Sequence, residues 1–367
     1  MFYAFRDNIN IIMSSSRVLL VGGGITSALT ASILHESLPN LCLTVWDKAR
    51  GAGGRMSTSR SASNPHNTVD LGAQYISATP HYFTKHQDIY KSMIGEGVFV
   101  PANVSLIEGM REERLAEGER TQHFVVPEGM SSLVKHVFAQ SGAEMHFGRR
   151  ISEINQQNTK WLVKTECGLE DLFDMVVLTM PAPQILALNG DVRNLINQTP
   201  SIETGLGDVS YSTRFVLGMF YEDQVNLGVG WACKYISDHP IIRFISIDNI
   251  KRTKMDSATS VLIHSTVQFG LENIDKSHEE MKPVIVEAVK EMFPSWPGAS
   301  EFKSLKWLYS QVHKGYPGAP GAVVLNSSPL LVMGGDAFSQ SNFDGCIESA
   351  KSISEKVEQS LNSEASR

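Results

Sequence analysis

The chain has 367 residues, 42 % of them hydrophobic and 19 % charged, enough apolar material for one large or two moderate cores, and a balance that excludes a disordered protein. Its net charge of −7 leaves no basic footprint for nucleic acid. Four cysteines (Cys42, Cys167, Cys233 and Cys346) are scattered without a CxxC pair, which predicts buried thiols in a reducing compartment and no metal ligands.

The first thirteen residues hold Arg6 and Asp7 and lack a long apolar stretch, so no signal peptide is evident and a cytoplasmic location is expected. Organellar targeting and unconventional secretion stay open. Residues 1–16 read as an N-terminal extension, with Met13 as an alternative start. The most apolar window, 18–34, is broken by Gly, Ser and Thr and makes a poor membrane span.

Next comes "RVLLVGGGITSALT" (17–30). Val18–Val21 suits a parallel strand buried on both faces. Gly22 and Gly24 permit a tight turn and close approach to a pyrophosphate, and Thr26 opens a helix whose free N–H groups face that anion. The third glycine of the fingerprint is replaced by Ser27. A plain glycine turn of an α/β protein would read the same way. "LCLTVWDK" (41–48) is a second strand ending at Asp47, where a carboxylate can accept hydrogen bonds from a ribose diol. Spacing alone fits NAD and FAD equally. In "GAGGRMST" (51–58), Gly54 and its preceding glycine lead into Arg55, a fork-shaped cation suited to phosphate oxygens.

Further along, "REERLAEGER" (111–120) mixes both charge signs and reads as a solvated hairpin or loop. "GMSSLVKHVFAQSG" (129–142) has helical spacing and a terminal glycine, with His136 as a surface or boundary residue of that helix and not a functional one. Stretches 210–222, 241–249 and 260–269 read as strands of an antiparallel sheet. His264 falls centrally in the last of them, as either a satisfied core histidine or a pocket residue. Asn249, at a strand end, is either a turn residue or a partner for a carboxamide. Trp307 and Phe343 wall a pocket or fill the core.

The order of these segments resembles the FAD-binding amine-oxidase-like flavoproteins. The resemblance rests on "VWDK…GGRM", "DLGAQYI" (70–76), "FGRRISEI" (147–154) and "LLVMGGDAFSQSNFDGCIESA" (330–350). It implies an α/β chain (α+β overall) of the amine oxidase / p-hydroxybenzoate hydroxylase-like type. A discontinuous Rossmann-like FAD-binding domain (17–90, 125–190 and 305–360) would be joined to a smaller, mainly antiparallel substrate domain (91–124 and 191–304). Carried over residue by residue, the FAD contacts would be Gly22, Gly24, Thr26, Asp47, Gly54, Arg55, Gln74, Tyr75, Ile151, Asp336, Phe343 and Gly345. Ile151 would touch adenine through its backbone, Asp336 would bond the ribityl chain, and a helix beginning near Gly345 would aim its N–H groups at the isoalloxazine. Cys346 reads either as a covalent link or as a packed thiol; a non-covalent cofactor is expected.

Further matches ("PHNTVDLGAQYI", "TPHY", "VLTMPAPQIL", "YSTRFVLGMFYE", "IRFISIDN") narrow the resemblance to a branch of that family. That branch is associated with oxidising aberrant 2- and 6-dihydro isomers of NAD(P) to NAD(P)+, with O2 reoxidising the flavin and yielding H2O2. His264, Tyr75 and Asn249 would then serve the reaction. Hydride leaves a dihydropyridine without proton removal, so no nucleophile or paired carboxylate is expected. Two other classes remain open: a flavin amine oxidase, which would need a two-ring aromatic cage, and a flavoprotein that binds without turnover.

Overall fold

The computed structural model describes residues 16–110 and 118–365. Almost all of the N-terminal extension, and most of the charged stretch expected as a loop at 111–120, lie outside the described residues. The chain divides into two compact units. One holds the described residues up to Gly54, Val134–Ser210 and the chain from Val312 onward; the other holds Arg55–Leu133 and Tyr211–Gln311. The boundaries read from sequence keep 55–90 with the dinucleotide-binding pieces. The grouping moves them, because the backbone after Gly54 bonds within its own stretch: Leu71 N–H donates to Ser57 O at 3.0 Å and Ala73 N–H to Arg55 O at 2.9 Å.

The first unit is built on a six-stranded sheet ordered Ala322–Ser327, Leu330–Gly334, Met175–Leu178, Arg17–Val21, Cys42–Asp47, Glu144–Phe147. All neighbours run parallel except the Ala322–Ser327 edge. Central strands of a parallel sheet are covered on both faces, and Val18, Leu19 and Leu20 are accordingly fully enclosed. Helices Ile25–Ser37 and Phe343–Ala365 pack together. The segment read as one strand at 147–154 is split. Phe147 ends a strand of the main sheet, and Ile151–Gln157 starts a separate three-stranded antiparallel sheet. Gly148, with φ 70°, makes the break.

The second unit centres on a mainly antiparallel sheet ordered Glu301–Lys314, Ser210–Phe220, Ser260–Ser265, Ile242–Ile247, Cys233–Tyr235, Ile107–Glu108. Alternation sorts its side chains. Leu217, Ile245 and Ile263 face one core with Ile285 and Val289 of the helix His278–Met292; Val216, Leu262 and Phe244 face the other with Val69 and Leu71. His264 pairs with Val216 and Phe244, and so stands on the second face.

Two expected strands end early. After Ile247 the chain turns into a short helix, Asp248–Lys251, so Asn249 is helical. After Ser265, Thr266 caps a helix Val267–Glu272 by accepting the Phe269 N–H at 3.1 Å. His264 is therefore next to last in its strand, although that strand is interior to the sheet. The 129–142 helix is present as Met130–Ser141, with His136 half-buried. Among the described residues no helix is long and apolar enough to cross a membrane.

Candidate functional site

In the first unit the glycine loop joins the Arg17–Val21 strand to the helix at Ile25. Gly22 has φ 118°, a conformation that disfavours any Cβ, and an added Cβ would stand 2.7 Å from Thr179 Oγ1. Gly24 precedes the helix in extended conformation; no side chain caps this end and no acid sits in its first turn. No side chain of the helix therefore competes with an anion for its first N–H groups. Thr26 and Ser27 are buried within the first turn. The missing third glycine has a local explanation: the Thr179 hydroxyl donates to Val21 O at 2.9 Å, so the Ser27 hydroxyl donates to Thr179 Oγ1 at 2.8 Å.

Asp47 braces this loop. One carboxylate oxygen accepts from Gly23 N–H and the other from Ala49 N–H, at 2.5 and 2.6 Å. An ionised carboxylate has about four acceptor sites, so lone pairs remain for a ribose diol. Arg149 N–H donates to Asp47 O at 2.8 Å, which brings the turn before Ile151 to the end of the same strand. The second glycine pair docks on the first: Gly53 N–H donates to Gly23 O at 2.8 Å. At Gly54 a Cβ would reach 3.4 Å from Gly24 Cα. The loop, the open helix end and the Asp47 carboxylate together form a cradle whose donors and acceptors fit a dinucleotide.

At the other end of the chain Asp336 is buried in a single 3₁₀ turn, and Ser341 Oγ–H donates to it at 3.2 Å. The final helix starts at Phe343, two residues before the expected Gly345. The Gly345 N–H is already donated to Asn342 Oδ1 at 2.7 Å, an N-cap contact, so any anion contact at this end falls to the N–H groups ahead of it. Phe343 and Cys346 are buried, whereas Trp307, also read as a pocket wall or core residue, is half-buried. Cys233 is buried too, but Cys42 and Cys167 are exposed, which corrects the expectation of four buried thiols. Among the described residues no disulfide forms and no His/Cys/Asp/Glu cluster could hold a metal.

In the second unit, residues 70–75 are fixed from several directions. The Leu71 carbonyl accepts two ring donors, His264 Nε2–H at 3.0 Å and Trp307 Nε1–H at 3.1 Å. Gln74 donates through Nε2 to Asp70 O and Gly72 O at 2.8 and 2.9 Å, while its Oε1 accepts from Lys251 Nζ at 3.0 Å. The Tyr75 and Tyr235 hydroxyls share a short hydrogen bond. Tyr235, Phe244 and His264 run side by side, with ring centroids 4.8 and 5.9 Å apart. Burial pushes the His264 pKa down to about 4, against the pull of its carbonyl bond, so the ring is neutral at pH 7. Burial, with the negative end of Tyr235, raises the Tyr75 pKa well above its ordinary value. The geometry thus links His264, Tyr75 and Trp307. It does not link Asn249, whose buried Oδ1 has no hydrogen-bond partner among the described residues. Arg55 is half-buried at the start of this unit, its carbonyl tied to Ala73.

Sequence reading missed a buried charge quartet. Asp70 Oδ2 meets Lys251 Nζ at 2.9 Å and Arg252 at 2.8 Å, and both cations also contact Asp248. Asp70 Oδ1 accepts Thr58 Oγ1–H at 2.6 Å and Met130 N–H at 2.8 Å. The available signal was "DNIKR" (248–252), where charges spaced three and four apart follow an apolar strand without a break.

Comparison with known proteins agrees with this geometry. Residues 20–93 match the NAD(P)-binding Rossmann-like domain and residues 94–357 the flavin containing amine oxidoreductases. Renalase of Mus musculus is 42 % identical over 341 residues, covering 92 % of this chain and 97 % of that protein. A solved structure from Exiguobacterium sp. 255-15, titled as a protoporphyrinogen oxidase, superposes with a TM-score of 0.68 over 95 % of this chain and 99 % of that one, at 15 % identity. Fold and cradle together define an FAD-dependent oxidoreductase. The chain belongs to the flavin-containing amine oxidoreductase family and is renalase-like within it.

Proposed function

We propose that the protein oxidises aberrant dihydro isomers of NAD(P), reduced at the 2 or 6 position, to NAD(P)+, with O2 as final oxidant and H2O2 as product. The bound FAD supplies a hydride acceptor at N5, and Gly22, Gly24, Thr26, Asp47, Gly54, Arg55, Ile151, Asp336 and the start of the final helix are the residues assigned to hold it. The observation that carries the reading is the neutrality of the second unit's ring cluster. His264 is uncharged, and Tyr75 and Tyr235 hold each other's hydroxyls, with burial raising both pKa values. Such a cluster positions a planar ring and excludes water, and offers no general base. That matches a donor that loses hydride and becomes aromatic without losing a proton. His264 and Trp307 act through the Leu71 carbonyl, holding the 70–75 stretch in place. Tyr75 and Gln74 are the members of that stretch proposed to face the cofactor, and Asn249 is kept as a candidate for the substrate carboxamide. That no disulfide forms among the described residues supports a reducing compartment such as the cytoplasm.

Anaerobic mixing tests this. The 2- and 6-dihydro isomers should bleach the flavin absorbance rapidly, and ordinary 4-dihydro-NAD(P)H slowly. A rigid pocket fixes the ring, and displacing the hydride by about an ångström costs on the order of a hundredfold. Rapid bleaching by catecholamines, with none by the isomers, would establish the amine oxidase in its place.

A further inference from the structure

Two arginines on the second unit's sheet have no part in anything described so far. Arg214 lies in the Ser210–Phe220 strand and Arg243 in the Ile242–Ile247 strand, and these flank the Ser260–Ser265 strand that carries His264. Both are half-buried. Arg214 donates to Ser265 O at 2.8 Å and Arg243 to Ile236 O at 2.8 Å, while the Arg243 guanidinium sits 5.8 Å from the centroid of the Tyr235 ring. One carbonyl each leaves most of their donors unspent.

Among the described residues neither guanidinium meets a carboxylate. Burial lowers the Arg214 pKa, and the positive charge of Arg243 lowers it further. The contrast lies in the same unit: Lys251 and Arg252, buried more deeply, are matched one for one by Asp70 and Asp248. Two neighbouring cations that repel each other and lose hydration do not stabilise a fold, but they do suit a doubly charged anion recognised by two planar forks. The aromatic series Tyr235, Phe244, His264 begins beside them.

We infer that Arg214 and Arg243 form a pyrophosphate subsite for a dinucleotide substrate, setting its phosphates beside the C-terminal end of the Ser260–Ser265 strand while its planar ring lies toward the aromatic series. This rests on the proposed function for the identity of the ring, but not for the anion. It makes substrate selection a matter of the dinucleotide's tail as well as its ring.

The test uses the FAD-saturated holoenzyme and ADP-ribose, followed by titration calorimetry. Wild-type binding should weaken as salt rises. Arg243→Gln and Arg214→Gln should each weaken it by about ten- to a hundredfold, the loss of a charged hydrogen bond, and Arg243→Lys should recover only part. Adenosine, which lacks phosphates, should show no such loss. Equal ADP-ribose affinity in wild type and both variants would overturn the subsite, as would an equal loss for adenosine. A loss confined to 2′-phospho-ADP-ribose would overturn the pyrophosphate assignment. Arginine-dependent binding in an enzyme that oxidises none of the dihydro isomers would uphold the subsite and discard the proposed function.

Discussion

A backbone carbonyl that accepts from two aromatic rings is a fixed point, and Leu71 O is one. Removing His264 takes away one of its two donors and leaves Trp307. His264→Asn should therefore retain FAD and slow flavin reduction by up to about a hundredfold, the scale of a misplaced reactant, without abolishing it. Stopped-flow bleaching of the FAD-loaded variant checks this; complete loss would make the ring essential to the chemistry. The same residue has a signature in stability. Its folded pKa of about 4 lies below the unfolded value near 6.5, so the unfolded chain binds the extra proton first. Stability should fall as pH drops from about 6.5 to about 4, and urea melts of His264→Asn should lack that slope. His264 was legible as a residue at a crossroads, since an apolar strand around a histidine admits only a core or a pocket role. Its actual partner was not legible, because a carbonyl 193 residues away leaves no mark in sequence.

Among elements, the glycine loop, the Asp47 strand and the following glycine pair were readable because each needs a residue type that little else tolerates. Arg55→Ala tests the last of them. If the guanidinium meets the FAD pyrophosphate, its loss should cost about 1.5–3 kcal/mol and lower FAD affinity by roughly ten- to a hundredfold, measured by refilling stripped protein. Unchanged affinity would place Arg55 elsewhere. The two strands read too long, at 241–249 and 260–269, failed for a shared reason. Apolar periodicity was followed past the true ends, although the stop signals were local side chains: Thr266 caps Phe269 three residues on, and Asp248 pairs with Lys251 and Arg252 three and four residues on. The final helix was expected to begin near Gly345 and starts at Phe343, where Asn342 caps it by accepting the Gly345 N–H.

For the molecule as a whole, family and fold class followed from the order of motifs along some 330 residues, whereas the division into units depended on backbone bonds after Gly54 that no motif announces. What draws distant stretches of the second unit together is Asp70. Its carboxylate gathers Thr58, Met130 and the adjacent pair Lys251 and Arg252 from three places in the chain. Although burial opposes ionisation, the two cations hold its pKa below the usual carboxylate range. Asp70→Asn leaves Lys251 and Arg252 sharing one buried acid and should destabilise the protein by about 3–5 kcal/mol, read as a drop in Tm. A change under about 1 kcal/mol would show the quartet to be replaceable by neutral hydrogen bonds.

The bond between Ser27 and Thr179 constrains the paths by which this chain could change over time. A loop with the third glycine needs no hydroxyl at 179 to receive one from 27, but the two positions cannot be exchanged in either order at equal cost. Thr179→Val made first strands the buried Ser27 hydroxyl, at about 1–3 kcal/mol. Ser27→Ala made first removes that donor, and Thr179→Val then gives up only the bond to Val21 O. Stability measured around the four-member cycle should show the two substitutions coupled, with the double variant less damaged than the single losses add up to. History would then run through position 27 before position 179, a direction of travel set by one shared proton.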